Sequence, residues 1–358
     1  MIPYFLLVAL PVLVRLIGKK IRFTTDKKVL IQTQASSIDT FMFIFLLLVA
    51  LRGVEVGNDT GRYQQLYNRY SAQRFSELLS AGGFEVGYKL LNWLVGNTAG
   101  HYQVLLAVTA VICVYPLWYF YKRETENQLL TIALFLTVAP YTMYLTGIRQ
   151  AIAMSMGVPA WYAAKNKKLT LFVAIVVLAM QFHTSAFLLC LIYPLYHMRI
   201  TKKWLWFIVP CMVAMFAFRK KIFTFLFVFL WKEYTGAQET GATTILILLL
   251  LFGLYTYILP EEKDLDKDAI AMRNMLLLSI VIQFFAMLHP LSMRMNYYFL
   301  IFIPILIPRI ASRSKKQFAQ LAKLSVVVMT VFFLSYFLNS VIMDYDVLDI
   351  FPYIPFWK

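Results

Sequence analysis

Residues 165–199 read KNKKLTLFVAIVVLAMQFHTSAFLLCLIYPLYHMR. Two apolar runs flank a short polar break, and basic residues stand at the far end of each run. An apolar stretch bounded by lysines, a polar turn and a second apolar stretch returning to an arginine is the pattern of a helical hairpin crossing a bilayer. The same alternation of apolar runs and short basic loops extends in both directions along the chain. Of its 358 residues 61% are hydrophobic and only 15% charged, and its mean hydropathy is +0.68. A soluble domain of this length needs far more polar surface. Lipid obliges each span to satisfy its own backbone hydrogen bonds, so continuous apolar runs are read as helices; a β-barrel would show alternation instead.

Candidate spans fall at 3–17, 37–51, 102–120, 129–144, 149–164, 169–182, 185–196, 204–218, 243–259, 274–288, 296–308 and 324–343. The fold expected is an all-α polytopic integral membrane protein, one multi-span domain over 1–358 with about twelve transmembrane helices. The first span lacks a basic leader and a small-residue cleavage pattern, and is read as a span rather than a signal peptide. Segment 219–231, RKKIFTFLFVFLW, is short for a span. With the following residues to 242 it is read as an interfacial or re-entrant segment on the outer side. The large loop 52–101 carries apolar residues at helical spacing, Tyr63, Leu66, Tyr67 and Tyr70, then Phe84, Tyr88, Leu91 and Val95. Both stretches are expected to be amphipathic helices at the membrane surface. The hydrophilic stretch 260–273 reads as a solvated inner connector.

The net charge of +16 follows the positive-inside rule and not nucleic-acid binding, since no basic domain stands apart from the apolar segments. With the N-terminus outside, most of the 34 Lys and Arg fall in inner loops: Lys19, Lys20, Arg22, Lys27 and Lys28; Lys122 and Arg123; Lys165, Lys167 and Lys168; and clusters near 199–203, 263–273 and 309–323. Cys113, Cys190 and Cys211 lie in apolar runs without metal or disulfide spacing. No P-loop, GxGxxG, HExxH or CxxC pattern occurs, which excludes a pump driven by its own ATP hydrolysis.

The polar motifs share the outer side. Residues 52–63, RGVEVGNDTGRY, form a glycine-rich turn. Asp59 or Thr60 can cap a helix there, or Asp59 and Arg52 can face a cavity. Glu85, in FEVGY, either complements a helix dipole or acts as a base with a pKa raised by its apolar, tyrosine-rich patch. Arg149 opens an apolar helix after Gly147. At a span centre such a side chain would cost roughly 2.5–3.5 kcal/mol, so it either snorkels or builds an anion site with the free N–H groups beside it. His183 is the ionisable side chain in the polar break of the opening stretch. Near two arginines its proton is disfavoured, leaving a neutral ring able to accept. Arg294, in HPLSMRMNYY, repeats the logic of Arg149.

On these residues the chain resembles the EpsG/Wzy-type exopolysaccharide and O-antigen polymerases. The likeness rests on Arg52, Gly57, Asp59, Thr60 and Tyr63, then Glu85 and Tyr88, then Gly147, Arg149, Gln150 and Ala153, then Phe182, His183, Ser185 and Ala186, and then Arg294 to Tyr298, in family order. The resemblance implies a GT-C-like membrane glycosyltransferase in the bacterial cytoplasmic membrane, with an active site facing outside. Its substrate would be an undecaprenyl-pyrophosphate-linked oligosaccharide. Arg149, Arg294 and Arg52 would bind pyrophosphate; His183, ahead of Glu85 and Asp59, would serve as base; Tyr63, Tyr88, Gln150 and Tyr298 would contact substrate. Arg219, Lys220 and Lys221 would recruit anionic membrane lipids, and flippase and chain-length regulator proteins would be partners. No cofactor is implied, and the metal requirement stays open. A lipid-glycan flippase, a ligase or a glycan acyltransferase are the alternative readings.

The charge asymmetry carries a topological expectation. Cysteines placed at Asp59, His183 and Arg294 should react with a membrane-impermeant thiol reagent from outside intact cells, and those at Lys167 and Lys315 should not. Labelling of His183 only from the inside would break the shared-side argument.

Overall fold

The computed structural model describes residues 1–17, 24–25, 28–29, 36–80, 82–230, 242–345 and 348–358. Lys19, Lys20, Arg22 and Lys27 of the first inner cluster, and 231–241 of the outer segment, lie outside them. Among the described residues regular structure is helical, apart from a two-residue antiparallel ladder pairing Thr24 with Val29 and Thr25 with Lys28.

Among the described residues three helices are long and apolar enough to cross a membrane: Tyr102–Glu124, Lys267–Ala286 and Lys316–Ile342. The first, at 23 residues and ~1.5 Å per residue, spans the ~30 Å hydrocarbon core. Two bent pairs raise the number to five: Thr184–His197 with Lys202–Phe225, at 119°, and Pro290–Leu300 with Ile303–Ser312, at 48°. Five apolar helices of 10–17 residues complete the set. The chain is a helical membrane protein, with fewer unbroken spans than hydropathy alone suggests.

The breaks have local causes. Pro304 lacks the N–H that would bond back to Leu300, and its ring crowds that carbonyl, so the chain bends between Leu300 and Ile303. The groups left over are satisfied from neighbouring helices. Tyr121 Oη donates to the Ile301 carbonyl at 2.8 Å, and Thr131 Oγ1 donates to the Pro304 carbonyl at 2.8 Å. Pro159 acts likewise on the stretch read as span 149–164, which divides at Met156 into Ile148–Ser155 and Gly157–Lys165. Pro140 and Gly147 flank the short helix Met143–Thr146. At the junction read between a span and an outer segment there is no Gly or Pro, and one helix, Leu205–Leu230, runs through it.

The centre of the bundle is Ile303–Ser312, buried along nearly its whole length, packed with Gln128–Thr137 and Lys267–Ala286. Ala319–Ile342 lies outside and exposes Leu321, Leu324, Val328, Val331 and Phe332, the surface expected to meet lipid. The helices Thr60–Ser71 and Val86–Thr98 of the 52–101 loop turn their apolar faces on each other and on the bundle. The rings of Tyr63 and Tyr88 meet edge to face at 5.6 Å, and those of Tyr67 and Tyr102 lie 5.6 Å apart. The 260–273 stretch is not a solvated connector throughout. Arg273 is fully buried, paired with Glu262 at 2.9 and 3.0 Å and stacked on Tyr257 at 4.0 Å.

Residues 348–358 strap the outer turn in place. Gly57 N–H donates to the Asp349 carbonyl at 2.7 Å, Asn58 N–H to Leu348 at 2.9 Å, and Gly53 N–H to Ile354 at 2.7 Å. Gly57 has φ +90°, and a Cβ there would lie 2.5 Å from the Leu145 carbonyl oxygen. Both the backbone conformation and the close approach require glycine. Gly57→Ala should therefore destabilise the protein by more than ~1 kcal/mol, read as a lowered melting temperature of the detergent-solubilised chain.

Candidate functional site

The contact that requires Gly57 sets the site's geometry. It presses the 57–60 turn against Leu145, Thr146 and Gly147, directly before the Ile148–Ser155 helix. Thr146 Oγ1 donates to Asn58 Oδ1 at 2.6 Å and accepts the Asp59 N–H at 3.3 Å. Asp59 stands at the N-cap position of Thr60–Ser71, yet its carboxylate makes no capping bond. It faces a cavity of about 90 Å³ that it shares with Arg62, Tyr63, Arg149, His183 and Arg294.

Arg149 opens its helix next to that cavity. Its guanidinium forms an ion pair with Glu85 and lies 3.6 Å from the centre of the Phe84 ring, which Arg62 approaches from 5.5 Å. Neither member of the pair is more than 15% exposed, so water screens it weakly. Glu85 Oε1 also accepts the Thr184 N–H at 3.0 Å. Gly87 makes this possible: a Cβ there would lie 2.7 Å from the Gln181 carbonyl, to which Tyr88 N–H donates at 3.2 Å. Glu85 is thereby tied to Arg149 and to the polar break of the hairpin. Its lone pairs are committed to structure, which weakens it as a base.

His183 also has a structural task. Its Nδ1 accepts the Ser185 N–H at 3.3 Å and caps the Thr184–Leu191 helix. Tyr298 and Ser185 hydroxyls stand 2.9 Å apart, and Ser185 Oγ lies 2.6 Å from the same Nδ1. With Nδ1 accepting, the neutral ring carries its proton on Nε2 and offers a donor, not an acceptor, elsewhere. His101 and His289 cap their helices in the same way, each through Nδ1 at 3.1 Å. Burial chiefly, then the charges of Arg149 and Arg294, pull the His183 pKa down to about 4, against an opposing pull from Glu85.

The remaining residues divide clearly. Gln150 donates to the Arg294 carbonyl at 2.6 Å and pins the Pro290–Leu300 helix to Ile148–Ser155. The Arg294 side chain enters the cavity and forms no ion pair among the described residues. Tyr63 lines the cavity, and burial raises its pKa, leaving a neutral hydroxyl. Tyr88 and Tyr298 are fully buried behind it. Arg52 is not brought to the cavity: it is sealed, and its Nη1 donates to the Val49 carbonyl at the end of its own helix. Arg62 and Phe84 are cavity residues that sequence reasoning passed over, although both lie inside the quoted motifs. Arg62 stands one helical turn after Asp59, the spacing that places both on one face. No group of three or more His, Cys, Asp or Glu among the described residues is arranged to hold a metal ion.

The family model described as EpsG family matches residues 38–354, nearly the whole chain and every motif above. The chain belongs to the EpsG family. No curated protein and no solved structure matched it. In this EpsG-family chain the matched region holds all the cavity residues, from Asp59 to Arg294.

The lowered His183 pKa fixes the sign of a pH effect. A ring held neutral in the folded state contributes stability in full above its unfolded pKa near 6.5, and loses it as pH falls toward about 4. Between pH 7.5 and 5, the wild-type chain should lose more stability in chemical denaturation than His183→Asn, which retains a capping oxygen. At pH 7.5 His183→Leu should be destabilised relative to Asn by about 0.5–2 kcal/mol, the value of the cap.

Proposed function

We propose that this EpsG-family chain is a polysaccharide polymerase of about twelve spans and GT-C-like architecture, acting at the outer face of the bacterial cytoplasmic membrane. It transfers a lipid-pyrophosphate-linked glycan onto the terminal sugar of a lipid-linked repeat unit. The observation that carries this reading is the charge of the cavity. Three guanidiniums, Arg62, Arg149 and Arg294, line it with one carboxylate, Asp59; Glu85, outside the lining, pairs with Arg149, and Arg294 has no carboxylate partner among the described residues. Arg149 Nε is buried and without a hydrogen-bond partner, an uncommon and costly state that an anionic ligand would relieve. The small cavity, about 90 Å³, suits a phosphoryl group, with glycan and lipid lying outside it.

The chemistry follows from the placement. The acceptor hydroxyl oxygen attacks the anomeric carbon of the donor glycan, forming the new glycosidic bond. The bond from that carbon to the pyrophosphate oxygen breaks, and its electron pair leaves with the lipid pyrophosphate. The hydroxyl proton passes to a base. Asp59 takes that role in preference to His183 and Glu85, because its carboxylate is not spent on a helix cap or an ion pair. The arginines stabilise the charge that grows on the leaving group, in a site already organised by Glu85, Phe84 and Gln150. Tyr63 offers a neutral hydroxyl to a sugar or phosphate oxygen.

Purified protein reconstituted with a defined lipid-pyrophosphate oligosaccharide should yield a ladder of products. Asp59→Asn should slow it by roughly 10²–10⁴, the value of a general base, with the melting temperature unchanged. Arg294→Ala should abolish the ladder, and Arg149→Lys should retain part of it, since an ammonium cannot pair with two oxygens as a guanidinium does. A full ladder from both Asp59→Asn and Arg294→Ala would refute the assignment.

A further inference from the structure

A larger cavity lies away from this site, toward the basic ends of Tyr102–Glu124 and Gly157–Lys165. It is a groove of about 630 Å³ between Tyr102–Glu124, Gly157–Lys165 and Leu169–Met180. That volume falls within the range of small-molecule sites. Its composition is graded along its length. Tyr115, Tyr119 and Arg123 descend one face of the first helix at four-residue spacing; Ile175 and Leu171 descend the third toward Lys168. Each wall is apolar above and cationic at the terminus where the positive-inside pattern places the cytoplasm.

The charged end collects Arg123, Lys165 and Lys168, and no acidic side chain lines the groove. Lys165 is engaged by Asp268. Arg123 is held along the wall by Tyr119, whose hydroxyl its Nη1 reaches at 2.7 Å; its Nε stands 3.9 Å from the Glu124 carboxylate, and its side chain is well exposed. Lys168 forms no ion pair among the described residues. Lys167, with φ 56°, adopts the left-handed conformation that turns the chain between the second and third helices. The Tyr119 and Tyr162 rings meet edge to face at 5.6 Å and form part of the wall.

From this complementarity we propose that the groove is a binding site for an anionic diacyl phospholipid of the inner leaflet. Its phosphate lies among Arg123, Lys168 and Asn166, and one acyl chain lies along Tyr115, Val158 and Ile175. Basic clefts between membrane helices on the cytoplasmic side are suited to such head groups. The assignment to the inner leaflet rests on the orientation given above; the binding itself is independent of the polymerase reading and is measured without turnover.

Native mass spectrometry of the full chain, purified in detergent, tests it with phosphatidylglycerol and phosphatidylcholine of the same acyl chains. Wild-type protein should retain phosphatidylglycerol by about thirtyfold over phosphatidylcholine, the attraction expected of two cations at an anionic head group. Arg123→Gln with Lys168→Gln should bring the two lipids near parity at an unchanged melting temperature. Ile175→Trp, which fills the apolar length and keeps the charges, should lower retention of both lipids. Equal retention of the two lipids by wild type, or undiminished phosphatidylglycerol on either variant, would overturn the site. So would a loss seen only when Arg219, Lys220 and Lys221 are neutralised. Displacement of phosphatidylglycerol by equimolar polyprenyl phosphate would overturn the choice of a diacyl lipid.

Discussion

The ion pair between Arg149 and Glu85, laid on the face of Phe84, joins the 52–101 loop to the helical bundle. Glu85 and Phe84 belong to the large outer loop, and Arg149 opens a helix of the bundle. Glu85 reaches a third element through the Thr184 N–H. A charge at this depth is costly unless it is paired and hydrogen-bonded. The outer loop therefore docks where Glu85 can meet Arg149. That docking brings Asp59 and Arg62 across the cavity from Arg294. The glycines of the motifs serve the same arrangement: Gly57 and Gly87 are where one backbone comes too close to another for a side chain.

A second charged cluster organises the opposite end. Arg309 is almost fully buried and pairs with Glu124 at 2.8 Å, while Asp268 and Glu126 stand 3.7 and 3.8 Å away. Arg313 bridges Glu126 and Asp266, and Lys165 pairs with Asp268. These carboxylates come from one helix end, the loop after it and the start of Lys267–Ala286. The cluster thus ties Gly157–Lys165 and Ile303–Ser312, the helices that follow those carrying Arg149 and Arg294. Removing Arg309 would leave the buried Glu124 carboxylate without its ion pair, a larger loss than the pair's own net contribution.

Three histidines cap helices through Nδ1 at the starts of Tyr102–Glu124, Thr184–Leu191 and Pro290–Leu300. A cap acceptor must be unprotonated, so this use of histidine demands a neutral ring. At His183 the surroundings supply that condition through burial and two neighbouring guanidiniums. His183, the residue ranked first as base from the sequence, also holds the turn beside the cavity through Nδ1, and Asp59, ranked behind it, makes no capping bond.

Membrane character was legible in the sequence because the cost of an exposed backbone in lipid forces long apolar runs, which hydropathy registers residue by residue. That Asp59, Arg149, His183 and Arg294 gather at one end of the bundle was legible too, since helical spans and basic loops alternate in order along the chain. Arg149 and Arg294 do line one cavity with Asp59 and Tyr63. Where spans break was only partly legible: Pro304 and Pro159 are visible, but whether a proline bends a helix or ends it depends on who satisfies the freed carbonyl. At the Leu300–Ile303 bend Tyr121 and Thr131, distant in sequence, donate to the carbonyls of Ile301 and Pro304. The roles of individual polar groups were decided by tertiary structure alone. Arg52 and Arg294 look alike in sequence, each at an outer helix end beside glycine or aromatic residues. One is sealed against its own helix and the other enters the cavity, because a side chain's partners come from elements that packing, and not local spacing, brings beside it.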